Sequence, residues 1–166
     1  MTFQRILIFC MLLLSPLLPA QAATAPISDA AALQGVKDGK GVFLIDFSDA
    51  KKTALYLEII KGTHAGLTRQ GVKPSFVIVY IGPTVRFLTT APDGELELEQ
   101  GDALKAIADR VKELDQLGVR QEICAIATKV FKVPNETVLP GLTLVGDGFI
   151  SLIGWQAQGY KLIPLF

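Results

Sequence analysis

The segment VRQEICAIATKV, Val119 to Val130, contains the change of hydrophobic pattern that decides the fold class. Its first half is an apolar run of strand length, and its second half is a short helix-like segment that stops before Pro134. A buried strand that passes directly into a helix is the unit from which α/β domains are built. Cys124 lies at the junction, so its place in the fold decides what its thiol can do.

Strand-like and helix-like segments alternate on both sides of this junction. The helices are predicted at Lys51–Gln70, at Asp102–Gly118 with Asp102 as N-cap, and from the Asp147 cap to Gln158. VRFLTT (Val85–Thr90) is interpreted as a short strand extension, and APDGELELEQG as a solvated loop. The other four strands are predicted at Gly41–Ser48, Ser75–Gly82, Leu142–Gly146 and Tyr160–Leu165.

These segments predict a single three-layer α/β/α domain with a mainly parallel five-stranded sheet and flavodoxin-like layering. Several strands are continuously apolar, which is typical of a sheet covered on both faces. Hydrophobic residues make up 50% of the 166 residues and charged residues 19%, enough apolar content for one substantial core. The formal net charge of zero gives no indication of nucleic acid or an anionic membrane as partner.

The amino-terminal segment has the pattern of a secretory signal. Arg5 precedes the apolar run Ile6–Leu18, and Ala20-Gln21-Ala22 matches an A-x-A cleavage site. We therefore expect a signal peptide at 1–22, an N-terminal arm at 23–40 and the folded domain at 41–166. The alternative is an uncleaved amino-terminal anchor. Cleavage would remove Cys10 and place the mature chain, with no membrane attachment, in the bacterial periplasm, where a lone cysteine is unusual.

The position of Cys124 supports two interpretations. In open parallel sheets, sites lie beyond the carboxyl ends of the strands, and the free N–H groups of a following helix favour a thiolate there. Free cysteine is also among the most buried residue types, and Ile123, Ala125 and Ile126 are apolar. Position alone leaves a reactive and a structural cysteine equally open.

Several motifs resemble those of the DsrE/DsrF-like family of sulfur-relay proteins. They are the strand-to-helix cysteine in GVRQEICAIATKVFKV, the turn Leu139-Pro140-Gly141 before the fourth strand, and the ending Gln156-Ala157-Gln158-Gly159-Tyr160 before the last strand. VYIGPTVRFLT, beginning at Val79, resembles the second-strand segment of the family. The resemblance extends over roughly Gly41 to Leu165.

The resemblance implies that Cys124 is a catalytic, persulfide-carrying residue that exchanges sulfur with a donor or acceptor protein. It also implies a homo-oligomer, a trimer or a hexamer. Relatives often have His directly before the Gly-Pro of the second strand, where this chain has Ile81, so that base is absent here. The alternative function is a non-catalytic, oligomeric binding or assembly module in which Cys124 is buried and structural.

Other polar residues are weaker candidates. His64 is expected to be an exposed helix-end residue, and Arg86 a surface residue that could face an anion. Asp46, Ser48 and Asp49 lie at the carboxyl end of the first predicted strand and could contact a ligand; Ser48 or Asp49 is expected to cap the next helix. The one His and the one Cys that cleavage would leave are too few for a metal site, so the sequence indicates no metal and no cofactor.

Overall fold

The computed structural model describes residues 27–165. The predicted signal peptide and Cys10 lie outside these residues. Within residues 27–165, five strands and four α-helices alternate, with 3₁₀ helices at Gly82–Phe87 and Asn135–Thr137. The strands are β1 Asp38–Ile45, β2 Lys73–Tyr80, β3 Arg120–Cys124, β4 Thr143–Val145 and β5 Lys161–Pro164; the helices are α1 Ala50–Arg69, α2 Gly94–Gln116, α3 Ala125–Val130 and α4 Gly148–Ala157.

The five strands form one sheet in the order β4-β3-β2-β1-β5, and every neighbouring pair is parallel. The predicted fold class is therefore confirmed. Parallel pairing brings the carboxyl ends of all five strands to the same edge, which we call the carboxyl edge. This edge is where side chains from different strands can meet.

The two faces of the sheet carry different helices. On one face, Phe76 of β2 packs edge-on against His64 of α1, and Gln121 of β3 donates a hydrogen bond to the Val111 carbonyl of α2 at 2.8 Å. On the other face, Val79 of β2 and Cys124 of β3 lie against the first residue of α4, Gly148. Residues two apart on a strand share a face, so Glu122 lies on the α4 face with Cys124.

The α1/α2 face holds most of the hydrophobic core. Leu57 of α1 and Ile107 and Leu114 of α2 are fully buried against the sheet. Tyr80 is also fully buried there, and its hydroxyl donates to Gln121 Oε1 at 2.8 Å, while burial raises its pKa. Within residues 27–165, none of the helices combines the length and the apolar character that a bilayer crossing needs.

Two segments differ from their predicted structure. VRFLTT is not a strand extension, because Pro83 starts the 3₁₀ helix Gly82–Phe87 directly after β2. APDGELELEQG is mostly helical, because Asp93 caps α2 by accepting from the Glu95 and Leu96 N–H groups, and Leu96 is buried. A kink at Gln100, whose φ is −132°, separates residues 94–99 from the helix that was predicted to start at Asp102.

Candidate active site

Cys124 lies at the carboxyl edge, as the strand-to-helix pattern predicts. It is the last residue of β3 and occupies the N-cap position of α3, with an extended backbone at φ −76° and ψ 120°. It is a free cysteine, and 6% of its surface is exposed. Its thiol is therefore buried at the edge of the sheet where parallel α/β proteins place their ligands.

The hydrogen bond to the Cys124 sulfur does not come from the helix that the sequence indicated. The side chain makes no capping bond to α3; instead, the Gly148 N–H at the start of α4 donates to Sγ at 3.2 Å. The cause is the alternation of side chains on β3, which turns the sulfur toward the face that α4 covers. The first N–H groups of α3 therefore make no hydrogen bond with the sulfur, and the Gly148 N–H of α4 makes one instead.

The close approach of α4 to the sulfur requires a glycine at its first position. A Cβ added to Gly148 would lie 2.6 Å from Ile81 Cγ2 and 3.3 Å from Cys124 Cβ. Asp147 holds the start of the helix by accepting from the Phe149 N–H at 2.8 Å. The helix thus begins against the cysteine with no space for a larger residue.

The thiol lies at one side of a cavity of about 250 Å³ on the carboxyl edge. Its walls are apolar and come from Ile81, Ile126, Val130 and Phe149, among others, and Asp46 and Asp147 contribute carboxylates. Ile81 therefore places methyl groups beside the thiol. The cavity has room for a small group beside the thiol.

Glu122 is a buried carboxylate two residues before Cys124, with 3% of its surface exposed. Ser151 Oγ and Trp155 Nε1, both from α4, donate to Oε2, the latter at 3.1 Å, and Arg120 Nε pairs with Oε1. Burial raises the pKa of this carboxyl, but the three hydrogen bonds together hold it below its ordinary value. Glu122 is thus held as the anion beside a groove of about 400 Å³ along α4.

The other sequence candidates are distributed around the domain. Asp46 is at the cavity of Cys124, whereas Asp49 caps α1 by accepting from the Lys52 N–H at 2.9 Å. Ser48 and Arg86 border a separate polar groove with several acidic residues, and both are exposed. The expectation that Arg86 lies at the surface is confirmed.

His64 does not meet Cys124. It is half-buried on α1 and packs against Phe76, whose position on β2 is four residues before the carboxyl end. Burial lowers its pKa below the ordinary value of 6.5. The prediction that His64 is an exposed residue is therefore wrong, because its side chain faces the sheet. His64 and Cys124 do not form a Cys–His pair.

The described residues 27–165 bring no group of three or more His, Cys, Asp or Glu side chains together in a way that could hold a metal ion. Of the aromatic residues on α4, Trp155 packs edge-on against Tyr160, with ring centres 5.0 Å apart. Phe149 instead is 63% exposed beside the Cys124 cavity.

Sequence reasoning missed two residues of this region, Glu122 and Gly148. A charged residue inside the apolar strand VRQEIC, two positions before the cysteine, is a signal that could have indicated Glu122, because such residues share a sheet face. Gly148 carried no comparable signal, since GDG at 146–148 has the appearance of an ordinary turn and cap. Its role depends on the approach of α4 to β3, which is a tertiary contact.

The fold and the site together define this protein as a parallel α/β protein with a candidate thiol site at the carboxyl edge of its sheet. A family model described as the DsrE/DsrF-like family matches residues 40–165, so the chain belongs to that family. No curated protein matches the sequence.

Two solved structures have a similar fold. The first is the protein of unknown function MTH1491 from Methanobacterium thermoautotrophicum, 19% identical, with a TM-score of 0.59; the match covers 78% of this chain and 99% of that one. The second is the ychN protein from E. coli, 14% identical, with a TM-score of 0.54 and the same coverage of both chains. At these identities the likeness is one of fold.

Proposed function

We propose that this protein is a periplasmic sulfur carrier in which Cys124 accepts sulfane sulfur as a persulfide. The observation that carries the proposal is the free Cys124 thiol at a cavity on the carboxyl edge, with the Gly148 N–H 3.2 Å from Sγ. A backbone N–H aimed at sulfur stabilises the thiolate, which is the nucleophilic form. Membership of the DsrE/DsrF-like family supports the same chemistry.

The transfer needs no external oxidant or reductant. The Cys124 thiolate attacks the terminal sulfur of a donor persulfide, a new S–S bond forms on Cys124, and the donor S–S bond breaks. The donor leaves as a thiolate that takes up a proton. The reverse of this exchange, with an acceptor thiolate as nucleophile, passes the sulfur on and regenerates Cys124.

The test is to incubate the folded mature protein with a polysulfide donor and to weigh it intact. The expected result is one added sulfur that is lost on reduction, together with fast alkylation by iodoacetamide near neutral pH. Cys124→Ser is expected to abolish both signals while its circular dichroism spectrum stays that of the wild type. A thiol that reacts only after denaturation would contradict the proposal.

Export is the second part of the proposal and rests on the signal pattern at residues 1–22. The intact mass of protein from the periplasmic fraction is expected to correspond to a chain that begins at Ala23. Recovery of the full-length chain from membranes alone would refute export. That result would also leave Cys10 in the chain as a second thiol.

A second candidate function is favoured by a specific surface. Five large apolar side chains of α3 and α4 are more than half exposed, and some of them border the Cys124 cavity. An exposed apolar surface of this kind suits a subunit contact between copies of the chain. We call it the α3/α4 surface; it consists of Ile126, Val130, Phe149, Ile150 and Ile153.

Sedimentation velocity tests the assembly function. A trimer or a hexamer that dissociates when Ile150 and Ile153 are replaced by Ser would support self-association through the α3/α4 surface. Ile59→Ser, on the exposed side of α1, is the matched control, since Ile59 is 48% exposed. A monomeric wild type would refute the assembly function. An assembled protein in which Cys124 is inert would favour the assembly function over the sulfur carrier.

A further inference from the structure

Glu122 is a buried charge that the sulfur transfer proposed above does not itself use. Its Oε2 atom accepts from Ser151 and Trp155, which are four residues apart and therefore lie on one side of α4. Its Oε1 atom pairs with Arg120 of the same strand. One carboxylate on β3 thus holds two successive turns of α4.

These bonds add to a limited apolar attachment of α4. The helix has ten residues, and those it buries are Gly148 and Leu152, whereas Phe149, Ile150 and Ile153 point outward and are each more than 60% exposed. A helix that buries little apolar surface gains little from the hydrophobic effect. Charge-assisted hydrogen bonds are about twice as strong as neutral ones, so the bonds to Glu122 matter more here than on a well-buried helix.

The start of the same helix meets the sulfur. Ser151 is one turn after Gly148, whose N–H donates to Cys124 Sγ, and the Gly148 backbone packs directly on Ile81 and Cys124. A small displacement of α4 away from β3 therefore lengthens the N–H···S hydrogen bond. Glu122, two residues before Cys124 on the same face, is the nearest anchor of α4 along this strand.

We propose that Glu122 is a positioning residue: its carboxylate anchors α4 through Ser151 and Trp155 and so holds the Gly148 N–H on the Cys124 sulfur. The inference rests on the proposed use of Cys124 and deepens it. The charged groups that face the two sites are Arg120 beside Glu122, Asp147 between the groove and the cavity, and Asp46 at the cavity. The test leaves Arg120, Asp147 and Asp46 unchanged.

The test compares Ser151→Ala and Glu122→Gln with the wild type. The first variant removes one donor and keeps the charge; the second removes the charge and cannot accept from all three donors. Both are expected to lower the rate of Cys124 alkylation near neutral pH about tenfold and to displace the pH profile upward, with the limiting rate at high pH unchanged. Ser75→Ala is the matched control, since its hydroxyl bonds Tyr160 on the same sheet face at 2.8 Å, and no change is expected.

The direction of the Glu122→Gln effect separates positioning from simple electrostatics. Loss of a negative charge near a thiol by itself favours the thiolate and would speed alkylation. Faster alkylation of Glu122→Gln with Ser151→Ala unchanged would therefore overturn the positioning role. Unchanged profiles in both variants would overturn it as well.

Two further measurements keep this inference separate from the proposed function. Trp155 is the one tryptophan of the chain, so its emission reports directly on the bond to Glu122 and is expected to shift in Glu122→Gln. Hydrogen exchange of the Gly148 amide, measured by NMR, is expected to quicken about tenfold in Ser151→Ala. A folded wild type with an inert thiol would refute sulfur transfer, whereas unaltered Gly148 exchange would refute the anchoring by Glu122.

Discussion

The two faces of the sheet are built in different ways. On one face, helices of 20 and 23 residues, α1 and α2, bury Leu57, Ile107 and Leu114 completely. On the other face, the ten-residue α4 buries Gly148 and Leu152 and is held by hydrogen bonds to Glu122. Hydrophobic packing holds the helices of the first face, whereas on the second face polar contacts and a tight backbone approach are added to the apolar contacts of α4.

The difference shows which face carries stability and which carries the candidate chemistry. Five strands about 4.8 Å apart span about 19 Å, whereas one helix is about 10 Å wide, so α4 covers about half of its face. The thiol, the carboxylate and the exposed residues of α4 belong to this sparsely covered side. A buried carboxylate, whose charge would cost free energy in a closed hydrophobic core, is accommodated there because hydrogen-bond donors come from α4.

The largest expected effect is the loss of a buried side chain on the α1/α2 face. Leu57→Ala is expected to lower the free energy of unfolding by about 2–5 kcal/mol, because Leu57 is fully buried and its truncation leaves a cavity. Ile153→Ala, on α4, is expected to stay within about 0.5 kcal/mol, since Ile153 is 67% exposed. Urea denaturation measures both, and equal losses would remove the distinction between the faces.

The next effect concerns the start of α4. Gly148→Ala places a Cβ 2.6 Å from Ile81 Cγ2, so the helix must shift, at an expected cost of about 1–3 kcal/mol. Gly154→Ala in the same helix is the matched control: its added Cβ has nothing within 4 Å, and we expect a gain of up to about 1 kcal/mol. Denaturant midpoints measure the stability of both variants. A Gly148→Ala variant as stable as the wild type would show that α4 can move away from the thiol at no cost.

A smaller, pH-dependent effect is expected from Glu122 on the α4 face. Its folded pKa lies below the ordinary value of 4.5, because the hydrogen bonds from Ser151, Arg120 and Trp155 outweigh burial. The unfolded chain therefore binds the proton more readily, and the contribution of Glu122 is fully present above pH 4.5 and lost as pH falls through the folded pKa. The free energy of unfolding is expected to fall less steeply with decreasing pH in Glu122→Gln than in the wild type. An unchanged slope would contradict the lowered pKa of Glu122.

The smallest effect is expected from His64 on the α1/α2 face. Burial lowers its pKa below 6.5, so the folded state favours the neutral ring. Its contribution to stability is present above pH 6.5 and is lost as pH falls from there through the folded pKa. His64→Gln is expected to flatten the stability curve in this window alone, which thermal unfolding at a series of pH values can measure. Flattening only below pH 4.5 would assign the effect to a carboxylate instead.

The fold class could be predicted from the sequence because β1, β2, α1 and α2 are long and strongly patterned. The apolar runs of β1, β2 and β3 and the periodic helices α1 and α2 belong to local sequence. The wrong secondary-structure predictions concern segments in which one contact overrides the local pattern. Glu-rich GELELE became the start of α2 because Asp93 caps it and Leu96 finds a buried place, and VRFLTT became a 3₁₀ turn because Pro83 follows the strand end.

The sequence by itself determined the parallel α/β class and the position of Cys124 at the end of a strand, since both follow from periodicity and the strand-to-helix change. It did not determine which helix meets the sulfur. Only the tertiary structure decided that the Gly148 N–H of α4, and not the N-terminus of α3, lies on Sγ, and that Glu122 joins α4 to β3. The physical reason is that alternation along a strand fixes which face a side chain takes, whereas its partner there comes from a helix more than twenty residues away in the chain.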